Sequence, residues 1–346
     1  MKSASIAAAL FGLIGSIGTA FAAPPIQVAQ LPQLNIDKLQ TSVSGASSGG
    51  YMAVQLHIAY SATFKQGAGV IAGGPYNCAN GSVLNAIGRC LGRAPIPVAE
   101  LVAGTRSLAA SGAIDATDNL ANANVYLFAG SKDSVVNPST SADLQRYYQG
   151  FLPAANVVFK KDIEAEHAIV TDDYGAPCLT KATPFINNCG FDVAGAILQH
   201  LYGPLNARNS TPSGNLGGNL GGTLSEFDQS GFVTGHGMAA NGWIYVPVSC
   251  VQGAKCRIHV ALHGCKQNAA DVGDVFVRNA GYNRWADSND IVVLYPQTSQ
   301  KAVNSCWDWW GYDDANYARK SAPQMSAIVA MVEKIAAGVP KGATKP

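Results

Sequence analysis

The run Gly45-Ala46-Ser47-Ser48-Gly49-Gly50, followed by an apolar, helix-like stretch over residues 51–60, constrains this chain more than any other feature. Its G-x-S-x-G spacing sets a serine at the tip of a tight strand-to-helix turn. A serine held there has a strained backbone, and only glycines let the neighbouring chain segments pass so closely. The helix that follows points its free N–H groups and its dipole at the serine, which favours a negative oxygen there. Residues 39–43 supply the strand in front. Such a turn belongs in an α/β sheet. That sheet normally builds several strands before its nucleophile, and the chain ahead of Ser47 leaves no room for them.

Composition bounds the partners. The net charge is +1 and no basic run occurs, so nothing could neutralise phosphates and nucleic acid is excluded as a partner. Charged residues make up only 13%, so the surface relies on Ser, Thr, Asn, Gln and Gly. Residues 1–22 read as a secretory signal, with Lys2, an apolar stretch over 6–17 and Ala20-Phe21-Ala22 as a small-residue cleavage site. The alternative, a membrane anchor, is disfavoured because Gly12, Gly15 and Gly18 break a short run. A secreted or periplasmic protein with no membrane partner is expected. Eight cysteines, an even number, then imply disulfides. The spacings suggest that neighbours pair: Cys78 with Cys90, Cys178 with Cys189, Cys250 with Cys256 and Cys265 with Cys306. No His/Cys cluster has metal spacing, and no metal or cofactor is expected.

Beyond the turn, short apolar runs alternate with helical patterns. Strands are expected at 69–74, 125–129 and 157–163, and helices at 97–110, 137–151 and 191–201. Asn137-Pro138 reads as a cap with proline in the first turn. This is the signature of a doubly wound, mostly parallel sheet. Residues 204–222 interrupt it with Pro, Ser, Asn and Gly, and Gly-Asn-Leu-Gly occurs twice. They read as a linker between two domains or as a loop joining two halves of one sheet. Strands at 242–248, 257–262 and 291–295 follow, then a helix at 323–336. These look like the strands missing before Ser47.

A serine hydroxyl needs a base, and the base needs an orienting carboxylate. Asp133 and His167 each fall just past a predicted strand, in the order Ser, Asp, His that suits such a sheet. Adjacent parallel strands would bring both to the edge that carries Ser47. Taken singly, Asp133 could be a turn residue and His167 a surface histidine, and it is the joint pattern that carries the reading. His57 reads as a helix-face residue. His200, His236 and His259 have no loop after a strand to place them. Glu164 and Glu166 lie too near His167 in sequence to orient it. The oxyanion donors should be the backbone N–H groups of Ser48 and Cys265, the latter in His263-Gly264-Cys265 after a strong strand. That loop follows the serine by more than two hundred residues where it would ordinarily precede it. A circular permutation, with 204–222 spanning the old termini, accounts for the reversal.

Leu262-His263-Gly264-Cys265-Lys266-Gln267, Tyr295-Pro296-Gln297, Cys306-Trp307-Asp308-Trp309-Trp310 and the serine turn together resemble four blocks of the polyhydroxybutyrate depolymerase and feruloyl-esterase-like family. The reversed order resembles its circularly permuted, single-domain members. The resemblance covers nearly all of the chain beyond the signal. It implies a permuted α/β-hydrolase fold, one catalytic domain over 23–346, and a serine esterase acting on a polyester. It also implies the triad Ser47, Asp133 and His167, the Ser48 and Cys265 amides as oxyanion hole, and a Cys265–Cys306 link. No separate polymer-binding domain follows, so adsorption would use the catalytic surface, and a monomer is expected. Trp307, Trp309, Trp310 and Tyr312 are candidate walls of an apolar crevice, extended by Tyr317, although core packing is the favoured reading for at least one tryptophan. Asp308, Asp313 and Asp314 nearby would disfavour anionic substrates. The rivals are a feruloyl or acetyl-xylan esterase and a non-catalytic binding protein of the same fold.

Overall fold

The computed structural model describes residue 1 and residues 29–210 and 220–338. The signal reading over residues 2–22 therefore lies outside the described residues, as do residues 214–219 of the Gly-Asn-Leu-Gly repeat. Eleven strands are present among the described residues: β1 Ile36–Ala46, β2 Gly67–Ile71, β3 Asn124–Phe128, β4 Val157–Lys160, β5 Ile169–Thr171, β6 Ala176–Pro177, β7 Ile186–Asn188, β8 Thr223–Asp228, β9 Asn241–Val246, β10 Cys256–Leu262 and β11 Ile291–Tyr295.

Eight of them form one sheet in the order β4-β3-β2-β1-β10-β11-β9-β8. The run from β4 to β11 is parallel, and β9 and β8 add an antiparallel edge. Residues on both sides of 211–219 share this sheet. Gly45 of β1 faces Leu262 of β10. The strand that ends at Leu262 thus lies beside the strand that leads into Ser47, which is the arrangement a permuted order requires and two separate sheets would not give.

The central strands are buried on both faces, so their side chains divide with period two between two cores. Val260 and Leu262 of β10 and Val292 and Leu294 of β11 join Val43, Val70 and Leu127 on one side. They pack with Met52, Val54 and Leu56 of helix α1, Ser48–Ala59, and with helix Pro323–Ile335. Ala261, Val293 and Tyr295 face the other way, with Ile71 and Phe128, against helix Val193–Tyr202. All twelve residues of α1 are buried. A helix so enclosed has no need of a polar face, and even its polar side chains Gln55 and His57 are buried.

Helix Pro138–Tyr148 begins where expected, with the Asn137 side chain accepting the Ser139 N–H at 2.9 Å. Two strands end well short of the sequence reading. β2 stops at Ile71 because Ala72 turns at φ 51. β4 stops at Lys160, and the chain turns away toward His167. The small parallel sheet β5-β7-β6 was not foreseen: strands of two or three residues carry no readable period. The exposed edge strand β8 alternates too weakly to be read. The four disulfides join Cys78 to Cys90, Cys178 to Cys189, Cys250 to Cys256 and Cys265 to Cys306.

Candidate active site

Ser47 sits between β1 and α1 at φ 54 and ψ −120, a left-handed conformation rare for a residue with a Cβ. Two hydrogen bonds hold it there: its N–H donates to Ile71 O (2.9 Å), and its carbonyl accepts from Tyr51 N–H (3.0 Å). The flanking glycines are required by close approach. A Cβ on Gly45 would lie 2.2 Å from Gly49 O, and one on Gly49 would lie 2.4 Å from His263 O.

The Ser47 hydroxyl donates to His167 Nε2 at 3.0 Å, and His167 Nδ1–H donates to Asp133 Oδ2 at 2.8 Å. Asp133 is buried, and its other oxygen accepts the N–H groups of Val135 (2.8 Å) and Val136 (2.9 Å). Those two donors fix the plane of the carboxylate. The loops after β3 and β4 run side by side, with Ser131 N–H on Ile163 O (2.8 Å) and Lys132 N–H on Ala165 O (3.2 Å). Gly130 permits this, since a Cβ there would meet Ala165 O at 2.3 Å. The three residues taken from strand ends in the sequence thus lie in one hydrogen-bonded line.

The loop after β10 abuts the turn. A Cβ on Gly264 would be 3.5 Å from Ser47 Cβ. His263 Nε2 accepts the Thr298 N–H at 3.2 Å, so its Nδ1–H donates to Gly264 O at 2.7 Å. The Cys265 N–H belongs to that same peptide and points the opposite way in a trans unit. The His263 grip therefore turns the Cys265 amide away from the core, and Cys265 and Ser47 line one cavity. Gln267 Oε1 accepts the Gly264 N–H at 2.8 Å, and Gln267 Nε2 donates to Pro184 O at 2.8 Å. Ser48 is the first residue of α1, so its N–H is one that the helix leaves unpaired. Burial lowers the His263 pKa to about 4, which keeps it neutral and its tautomer fixed at working pH.

The cavity holds about 470 Å³ and is lined by Ser47, His167, Ile71, Ala72, Val135 and Ile169 with Phe185, Lys181, Lys266 and Cys306, among others. This corrects two expectations. The tryptophans do not line it. Trp307 has no exposed surface and donates from Nε1 to His263 O at 3.0 Å, so it packs the core beneath the His263–Cys265 loop. Trp309 is only 8% exposed and stacks on Tyr51 with ring centroids 4.1 Å apart. Trp310 and Tyr312 are half-buried beside it, and Tyr317 is buried. The acids do not line it either. Asp308 is buried, and its carboxylate accepts the N–H groups of Gly311 (2.7 Å), Tyr312 (3.0 Å), Asp313 (3.3 Å) and Asp314 (3.0 Å), which folds its own loop. The charges that line the cavity are Lys181 and Lys266, not carboxylates.

Phe185 and Lys181 come from the loop closed by Cys178–Cys189, which the sequence reading left without a role. Only Gln267 carried a signal, as the last residue of the Leu262–Gln267 block. The remaining histidines lie elsewhere. His57 and His259 are buried, and His259 is held between Ser42 Oγ and Ser44 Oγ at 2.7 Å each. His200 Nε2–H donates to Asn156 O at 3.0 Å, and His236 pairs with Asp313 at 2.8 Å. Among the described residues no cluster could hold a metal ion, and no helix is long and apolar enough to cross a membrane.

A family model described as Esterase PHB depolymerase matches residues 243–339. A poly(3-hydroxybutyrate) depolymerase of Delftia acidovorans is 58% identical over 99% of this chain and 67% of its own length. A polyhydroxybutyrate depolymerase of Talaromyces funiculosus is 38% identical over 92% of this chain and 96% of its own. Among solved structures, a serine-to-alanine variant of a PHB depolymerase complexed with an R3HB trimer matches with a TM-score of 0.83 at 38% identity, over 90% of this chain and 99% of that one.

Proposed function

The chain belongs to the polyhydroxybutyrate depolymerase family of ester hydrolases, and from that footing we propose that it is a secreted serine esterase cleaving poly(3-hydroxybutyrate) or a related short-chain polyhydroxyalkanoate. The observation that carries the reading is the line Ser47–His167–Asp133 opening on an apolar cavity beside the Gly264–Cys265 peptide. His167 takes the Ser47 proton as Oγ attacks the ester carbonyl. The Ser48 and Cys265 amides hold the oxyanion. The tetrahedral intermediate collapses, His167 returns the proton to the leaving alcohol, and a 3-hydroxyacyl ester remains on Ser47. Water, activated by His167, releases the hydroxyacid. The groups required are all in the chain, so the mechanism calls on no metal or cofactor.

The proposed unit is one catalytic domain over 23–346 acting as a monomer, with 1–22 as its export signal and 204–222 as the junction loop. The related depolymerase complexed with an R3HB trimer supports a polyester substrate. Four disulfides suit export. The test compares the protein with Ser47→Ala for labelling by a fluorophosphonate, clearing of a polyhydroxybutyrate suspension and release of ferulate from a feruloyl ester. Labelling and clearing should both vanish in the variant, a loss of several orders of magnitude in rate. A variant that keeps about a tenth of the turnover removes Ser47 from the role, and release of ferulate without clearing reassigns the substrate.

A further inference from the structure

We propose that Glu166 is a positioning residue: its side chain ties the loop bearing Asp133 to the loop bearing His167 and so sets the angle at which the imidazole meets Ser47. The proposal rests on the reading of these three residues as a triad. One oxygen, Glu166 Oε1, accepts two backbone N–H groups, that of Ser134 at 2.8 Å and that of His167 at 2.8 Å. A single atom thus bonds the residue after the acid and the base itself. Partial burial opposes ionisation, but the Ser134 and His167 amides outweigh it and hold the carboxyl below its usual range. An ionised acceptor makes the stronger bond to each amide.

The other backbone ties between the loops lie farther from His167 along the chain. Ser131 and Lys132 donate to Ile163 and Ala165. The exposed Lys132–Glu164 pair at 3.5 Å contributes little. Glu166 is itself held from a third side, since its N–H donates to Cys178 O at 3.0 Å. Lys181 of the same disulfide-closed loop donates to Ser134 Oγ at 2.6 Å. The sequence hides this role, because a carboxylate adjacent to a histidine is badly placed to meet its ring yet well placed to meet its amide.

The experiment uses Glu166→Gln and Glu166→Ala. Glutamine keeps a carbonyl oxygen that can accept both N–H groups, and alanine keeps none. Turnover of p-nitrophenyl butyrate is measured per active site, titrated with a fluorophosphonate so that unfolded protein is not counted. Glu166→Ala should lose about tenfold in kcat with KM within about twofold of the parent, and Glu166→Gln should stay within about threefold in both. Wild-type turnover per titrated site in Glu166→Ala overturns the proposal, even if its melting point falls. Equal losses in the two variants overturn it too, since charge rather than acceptor geometry would then matter. Labelling that persists in Ser47→Ala would instead remove the triad on which the proposal rests.

Discussion

Trp307→Phe separates a core tryptophan from a substrate wall. The indole has no exposed surface, its Nε1 donates to His263 O at 3.0 Å, and its ring lies 5.2 Å from the His263 ring. Phenylalanine keeps most of the apolar contact and removes the donor. The His263 carbonyl is then buried without that partner, which costs about 1–3 kcal/mol. The smaller ring leaves a void worth about 1 kcal/mol more. A total of roughly 2–4 kcal/mol corresponds to a fall of about 3–6 °C in the unfolding midpoint for a chain of this size. The same change frees the residue whose imidazole holds the Gly264–Cys265 peptide, so kcat should fall by about tenfold, part of the 10²–10³ that loss of an oxyanion donor costs. Circular dichroism melts give the first quantity, and p-nitrophenyl butyrate and suspended polymer give the second. Both substrates should lose equally. An unchanged midpoint with a loss confined to polymer would refute this account and return Trp307 to the crevice.

Three further outcomes are expected. Burial holds His57 and His259 at pKa about 3 and His263 at about 4, below the unfolded value of about 6.5. The unfolded chain therefore binds more protons between those limits, so stability is full above about pH 6.5 and falls by about 1.4 kcal/mol per pH unit for each histidine as pH drops toward 4. Melting points that stay flat from pH 7 to 4.5 would contradict it. Gly49→Ala should destabilise by about 3 kcal/mol or fail to fold, because its Cβ would meet Leu262 O at 2.5 Å and His263 O at 2.4 Å, both backbone atoms that cannot swing away. A soluble variant with a native melting point would show that α1 can shift from β10 at no cost. Trp310→Ala should slow polymer clearing several-fold more than p-nitrophenyl butyrate hydrolysis, since a half-buried ring outside the cavity can meet only a long substrate, and equal losses would mark it as structural.

Much of the fold was legible because its strands are short apolar runs ending in punctuated loops. Ser47, Asp133 and His167 could be picked out because each follows such a run, and parallel pairing sends successive loops to one edge. The reversed order of the serine turn and His263-Gly264-Cys265 was legible for the same reason. The tryptophans were not. An aromatic run has the same composition whether it lines a crevice or fills a core, and the Trp307 bond to a carbonyl 44 residues away leaves no trace in its neighbours. Asp308 looked like surface charge because nothing in the pattern reveals four amides curling around one carboxylate. Phe185 and Lys181 were invisible, being carried by a loop whose shape comes from a disulfide and a miniature sheet rather than from any period.

The pairing of β1 has a consequence for the order in which the molecule can be built. Its partner β2 follows closely, but its other partner β10 is distant: Ser42 and His259, which touch across that pairing, are 217 residues apart. As the chain emerges from the ribosome or an export channel, the middle of the sheet is made early and stays open along one side until the last third arrives. An open apolar strand is a template for another chain, and contacts of such long range close slowly. A partly made chain would have Ser47, Asp133 and His167 and still lack the Gly264–Cys265 peptide. On the proposed mechanism hydrolytic activity would then switch on late, when β10 docks, and a chain stopped near residue 222 would be inert and prone to aggregate.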